Sequence, residues 1–252
     1  MKISILLETN SSGGGSFTHS VNTCLDLKKF CEKENGILVY TQFKQSFETL
    51  KNLKIPAKLF SHSFFDKVLL RLSTFKLFRH LTTLMDIKLS IEKSIIKNKI
   101  DLIFFPVISN TVFCLKKIKF ISTLLDLEHF KHSTFPEISK KEFDYRENLY
   151  FYSLKRSELI ITSCKSIKKN LCKHYNIKQK KVFVIPYTPS SLFTKKKLNK
   201  EFLNRYKKIK NYFFYPAQIW GHKNHIVILK AVNILNKKNI NVNLIFSGRD
   251  RG

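Results

Sequence analysis

A lysine held in a polar turn, with a buried strand before it and a helix start after it, is the arrangement in this chain best fitted to hold an anion. An aromatic-rich strand begins at Tyr212. Gly221, His222, Lys223, Asn224 and His225 then form a polar turn, and an apolar helical pattern begins at Ile226. First-turn N–H groups and the helix dipole favour negative charge at such a start, and Lys223 adds a formal cation. An ordinary capped strand–loop–helix has the same outline. Asn224 suits an N-cap, and His222 and His225 read more readily as loop packing than as ligands.

Two further groups carry chemistry. Gly13, Gly14 and Gly15 follow the first strand and precede a helical pattern. Consecutive glycines let backbone approach a ligand closely, and the helix start behind them suits a phosphate or sugar. The spacing is not that of a dinucleotide fingerprint, and a tight turn with no ligand has the same sequence. Asp126, Glu128 and His129 follow an apolar strand, at the carboxyl edge where α/β sheets receive ligands. Glu128 and His129 have the groups to bond sugar hydroxyls, and Asp126 to orient the loop.

These groups need strands and helices to position them. Strands are predicted at Lys2–Leu7, Ile37–Tyr40, Asp101–Phe105, Lys119–Leu124, Leu159–Thr162 and Val182–Ile185, with helical spacing in Phe17–Cys31, Phe65–Lys97, Tyr145–Lys155 and Ser166–Tyr175. The alternation predicts an α/β fold with a mainly parallel sheet. Residues 1–188 read as one complete doubly wound domain and 189–211 as a connector with a short helix near Asn199–Ile209. Residues 212–252 read as only the opening β-α-β of a second domain, so the chain is expected to be truncated there. Phe65, Val68, Leu69, Leu72 and Phe75 recur at helical spacing beside Lys67, Arg71, Lys76 and Arg79. Such a helix either packs on a core with its basic face in water or lies on an anionic membrane. Core packing is the expectation.

Composition sets wider bounds. The 252 residues include 23 Phe and are 43% hydrophobic, which excludes a disordered polymer. A net charge of +28 favours anionic partners: lipid, nucleic acid or phosphorylated substrates. The excess is lysine spread along the chain, as A/T-rich coding would also produce, and no nucleic-acid motif accompanies it. Cys24, Cys31, Cys114, Cys164 and Cys172 show no metal-ligand spacing and read as reduced thiols of a cytoplasmic protein. The most apolar run, Leu102–Leu115, is interrupted by Pro106 and Asn110 and is too short to span a membrane.

The segment Tyr212–His225 with Ile226-Val-Ile-Leu-Lys-Ala-Val232 and Phe246-Ser-Gly-Arg-Asp-Arg-Gly252 resembles the start of the donor-binding domain of group 1 (family 4) glycosyltransferases. Leu125-Asp-Leu-Glu-His129 with Phe135-Pro-Glu-Ile-Ser139 resembles the acceptor-side loop of a polysaccharide-building branch, and Ile160–Cys164 through Val182–Pro186 resembles its later N-terminal strands. The resemblance runs along essentially the whole chain. It implies a GT-B architecture and transfer of a hexose, mannose among the candidates, from a nucleotide-sugar to a cell-surface polysaccharide such as O-antigen or to its lipid-linked precursor. It further implies retention of configuration, no metal and no cofactor beyond the donor, at the cytoplasmic face of a membrane.

By the same resemblance, Asp126 and His129 are the catalytic-loop residues. Gly13, Gly14, Gly15, Glu128, Lys223 and Asn224 are the donor- and substrate-binding residues. Two positions depart from the wider family: Leu125 stands where many members have histidine, and Gln218 where arginine is common. The family's later glutamate pair has no counterpart before residue 252, which implies an inactive fragment. The alternative class is a non-catalytic basic protein that binds membrane or nucleic acid.

Overall fold

The computed structural model describes residues 1–31, 36–131, 135, 138–187, 201, 204 and 211–249. The chain divides into two compact units, Met1–Leu127 with Asp144–Leu192, and Glu128–Phe143 with Phe193–Gly252. The expected connector at 189–211, with its short helix, lies almost entirely outside the described residues.

In the first unit the strands are β1 (Ile3–Leu7), β2 (Leu38–Thr41), β3 (Ala57–Leu59), β4 (Leu102–Phe105), β5 (Lys119–Leu124), β6 (Leu159–Thr162) and β7 (Val182–Val184). They form one parallel sheet in the order β3-β2-β1-β4-β5-β6-β7. Side chains alternate across it, as strand geometry requires. Leu6, Tyr40, Ile103, Phe105 and Phe120 enter one core, and Ile5, Leu7, Val39 and Phe104 enter another on the opposite face. Burial of both faces accounts for the nearly continuous apolar strands. Cys24 and Cys31 lie in the second core as free thiols, as expected from their spacing.

The connecting helices are α1 (Gly15–Cys31), α2 (Lys44–Asn52), α3 (Phe64–Leu72), α4 (Lys76–Leu84), α5 (Ser90–Lys97), α6 (Lys140–Arg156) and α7 (Lys165–His174). The helical spacing read across 65–97 is three helices. Ser73 caps α3, and the Arg79 guanidinium donates to the Ser73 and Thr74 carbonyls at 2.7 and 2.9 Å, occupying acceptors that a continuous helix would use. After α4, Asp86 adopts φ 47° and turns the chain again.

Core packing of the Phe65–Phe75 stripe is corrected by the structure. Of its five apolar residues only Leu69 is buried; Phe65, Val68, Leu72 and Phe75 are exposed. Asp66 holds α3 in place. Its carboxylate accepts from the Ser63 and Ser90 amides at 2.9 and 3.0 Å, and its own amide donates to the Ser63 hydroxyl at 3.0 Å, a closed capping box. Burial raises the Asp66 pKa, but the Ser90 and Ser63 hydrogen bonds outweigh it and hold the carboxyl below its usual range.

The second unit contains β8 (Tyr212–Pro216), α8 (His225–Lys237) and β9 (Asn243–Ser247), with β8 and β9 paired in parallel. After the strands the backbones pass so closely that a Cβ on Gly248 would lie 2.0 Å from the Ala217 carbonyl oxygen, so glycine is required there. Among the described residues no helix is long and apolar enough to cross a membrane.

Candidate functional site

In the first unit the order of the strands reverses beside β1, whose neighbours are β2 and β4. Loops at the carboxyl ends of these strands therefore flank a topological switch point, the position where open α/β sheets bind ligands. The glycine turn leaves β1 there. Ser11–Gly13 forms a 3-10 turn, and Gly14 takes φ 61° and ψ −126°, a conformation that L side chains avoid. Gly15 opens α1, with nothing within 4 Å of a Cβ built on it.

The two glycines therefore predict opposite outcomes. Gly14→Ala strains the turn and costs about 1–3 kcal/mol. Gly15→Ala leaves stability unchanged or raises it by about 0.5 kcal/mol. Urea unfolding of the two variants checks this directly.

The turn is tied down by α2, an element the sequence reading left out. The Ser46 hydroxyl, fully buried, donates to the Thr9 carbonyl at 2.9 Å, and Ser11 donates to the Gln45 side-chain oxygen at 2.5 Å. At its base sits Glu8, the first residue after β1, with a side chain only 5% exposed. Its carboxylate accepts from the Ser109 hydroxyl, from the Thr111 hydroxyl at 2.8 Å and from the Gln42 amide at 3.5 Å. The His62 Nε2 lies 3.7 Å away. One carboxylate thus joins the loops after β1, β2, β3 and β4. Neither Glu8 nor His62 was singled out from sequence. The available signal was a charged residue directly at the carboxyl end of a fully apolar strand, where an acid is buried only if paired.

Asp126 stands exposed beyond β5 in a second polar group of the same unit. The Tyr187 hydroxyl, after β7, donates to the Leu125 carbonyl at 3.4 Å, and its ring meets His19 of α1 edge-on at 5.1 Å between centroids. Burial raises the Tyr187 pKa, and the Asp126 and Cys164 charges add to the rise. Burial lowers that of His19.

The lowered His19 value fixes a sign. The unfolded chain takes up this proton near its ordinary value of about 6.5, before the folded one does. Stability attributable to His19 is therefore complete above that value and falls as pH drops toward the lower folded pKa. Thermal melts from pH 7.5 downward should show this loss in the native chain and a flatter profile in His19→Gln.

In the second unit, Glu128 is exposed, whereas His129 is fully buried, its ring 4.4 Å from Phe130 and 5.7 Å from Phe143. The structure places His129 in an aromatic nest, without the surface a sugar ligand needs. The same segment reaches the lysine turn: the Phe135 and His222 rings stand 5.1 Å apart. Gly221–Lys223 is a 3-10 turn, and the Lys223 carbonyl accepts from the Tyr215 hydroxyl at 2.9 Å, leaving an exposed lysine on a fixed backbone. Asn224 takes the left-handed conformation, φ 49° and ψ 49°, which asparagine tolerates. Its side-chain oxygen accepts from the Val227 amide at 3.3 Å, so it is the N-cap of α8. His225 packs between Tyr215 and Phe246, with ring centroids 5.1 and 5.0 Å away.

The predicted residues thus fall into two sets, Gly13–Gly15 with Asp126 in the first unit, and Glu128 and His129 with Lys223 and Asn224 in the second. Among the described residues no three His, Cys, Asp or Glu side chains are grouped to hold a metal ion.

No family model matches the chain, and no curated protein matches it in sequence. Solved structures do match in fold. HepE of Anabaena, crystallised with UDP and glucose, is 14% identical with a TM-score of 0.61, over 98% of this chain and 60% of its own. The UDP-GlcNAc 2-epimerase of Methanocaldococcus jannaschii is 17% identical with a TM-score of 0.57, over 98% of this chain and 65% of its own. A glycosyltransferase of Rickettsia africae is 14% identical with a TM-score of 0.51, over 99% and 68%. This chain therefore spans roughly three fifths to two thirds of their lengths. The fold is α/β of the GT-B type, with a seven-stranded Rossmann-like sheet in the first unit and a β-α-β arrangement in the second.

Proposed function

We propose that this chain is the acceptor-side domain and the opening of the donor domain of a group 1 (family 4) glycosyltransferase. It would act on a nucleotide-sugar and a saccharide or lipid-linked acceptor in cell-surface polysaccharide assembly. One observation carries the reading: Lys223 stands exposed on a turn fixed by Tyr215, immediately before a helix whose N-cap is Asn224. That is a cation at the positive end of a helix, suited to a diphosphate. The nucleotide-bound state of HepE, a fold neighbour solved with UDP and glucose, supports the ligand class.

In the proposed reaction the bond from the sugar's anomeric carbon to the diphosphate breaks. The acceptor oxygen bonds to the same face of that carbon, and its proton passes to the departing phosphate. Stabilising the charge that builds on the diphosphate is the main task of the site. Lys223 supplies about 1–3 kcal/mol toward it. Within the second unit Asn224 holds the helix start beside Lys223, and Glu128 is suited to sugar hydroxyls. Within the first, the Gly13–Gly15 backbone is open to a close phosphate approach, and Asp126 is suited to acceptor hydroxyls. His129, buried among rings, holds the Glu128 loop in shape and acts as a positioning residue. The donor is a hexose nucleotide, and the reaction needs neither metal nor further cofactor.

Calorimetric titration with UDP-glucose and GDP-mannose tests the reading and separates the two bases. One of them should bind, and Lys223→Ala should weaken that binding about tenfold or more. Equal binding by the variant would remove Lys223 from the site.

A further inference from the structure

Helix α4 is amphipathic in the reverse of the usual sense. Arg79 and Thr82 are its buried residues, while Leu77, Leu81 and Leu84, at i, i+4 and i+7, face outward. Leu77 is 73% and Leu84 71% exposed, and the preceding α3 adds Phe64 at 84%. Soluble proteins rarely leave such a group of large apolar side chains in water without an occupant. The inner face is held firmly. Arg79 donates to two backbone carbonyls and to Asn148, and Asp66 closes the cap of α3, so the outward leucines and phenylalanines are not a loosely folded core.

The charge on these helices identifies what the face fits. Lys67, Arg71, Lys76 and His80 are exposed among the apolar residues. Asp66 and Asp86 are the only acids between Glu48 and Glu92. Asp66 is buried in its capping box, and Asp86 is bridged to Lys88 at 2.5 Å and to Lys117 at 3.6 Å. A second copy would bring like charges together across the contact. We propose that the outward faces of α3 and α4 dock on an anionic lipid bilayer, with Phe64, Leu77 and Leu84 entering the acyl boundary and Lys67, Arg71 and Lys76 meeting the headgroups. The proposal is independent of the nucleotide-sugar reading, because vesicle binding and nucleotide binding are measured separately. A lipid-linked acceptor would make the two roles complementary.

Sedimentation of the full chain with vesicles tests it. The chain should pellet with phosphatidylcholine vesicles containing about one third phosphatidylglycerol, and much less with phosphatidylcholine alone. Phe64→Ser with Leu77→Ser and Leu84→Ser should lower the partition coefficient at least about tenfold. Lys67→Gln with Arg71→Gln should lower it about thirtyfold at low salt. Both variants change exposed side chains, and circular dichroism should show the native helix content. Vesicle binding by both variants equal to that of the native chain would overturn the proposal. So would a native dimer in sedimentation velocity that the apolar variant converts to monomer without changing vesicle binding, since a second copy would then occupy the face.

Discussion

Arg79→Ala should destabilise the first unit by about 3–5 kcal/mol and lower its melting temperature by roughly 10 °C. The guanidinium is buried against the Phe113 and Tyr152 rings, 4.6 and 4.7 Å from their centroids, and donates to the Ser73 and Thr74 carbonyls and to Asn148. Removing it orphans the buried Ser73 carbonyl at the α3–α4 junction, leaves the Thr74 carbonyl with Asn148 alone, and breaks the bond from α4 to Asn148 of α6. Arg79→Lys keeps the charge but not the planar fork, and should recover less than half of the loss. Chemical denaturation of the three proteins measures both effects. A loss below about 1 kcal/mol for Arg79→Ala would mean that α4 is held by something else.

Glu8→Ala should cost about 2–4 kcal/mol, because it strands the buried Thr111 hydroxyl and the half-buried Ser109 hydroxyl. Its signature is local as well as global. Hydrogen exchange should accelerate in residues 9–16 and 106–111, the loops that one carboxylate joins, more than in β5 and β6. Glu8→Gln keeps one accepting oxygen and should show about half the loss. Uniform acceleration across the sheet would indicate that Glu8 contributes stability without ordering the glycine turn.

The elements legible from sequence were those whose pattern answers to local rules. Apolar strand runs located β1, β4, β5 and β6, and Asn224 announced the start of α8 because a cap needs only its own next turn. What escaped depends on distant partners. β3 is a three-residue strand, Ala57–Leu59, at the sheet edge, and α2 buries only Ser46 and Leu50, so neither repeats an apolar residue often enough to show a period. Glu8 and His62 are 54 residues apart in number and meet only once the sheet is formed. Arg79 reads as one more surface cation among many. Its burial, and the outward stripe of 65–75, are set by tertiary contacts that helical spacing alone could not reveal. His129 is a similar case: its polarity marked it as a ligand, and only the fold shows it buried beside Phe130 and Phe143.

The central claim is that the lysine turn of the second unit receives the diphosphate of a nucleotide-sugar. Backbone amide spectra recorded during titration with UDP-glucose or GDP-mannose test it most directly. The account predicts saturable shifts at Lys223, Asn224 and His225, and their loss in Lys223→Ala. Shifts confined to other lysine-rich surfaces, or no shifts at millimolar ligand, would contradict it.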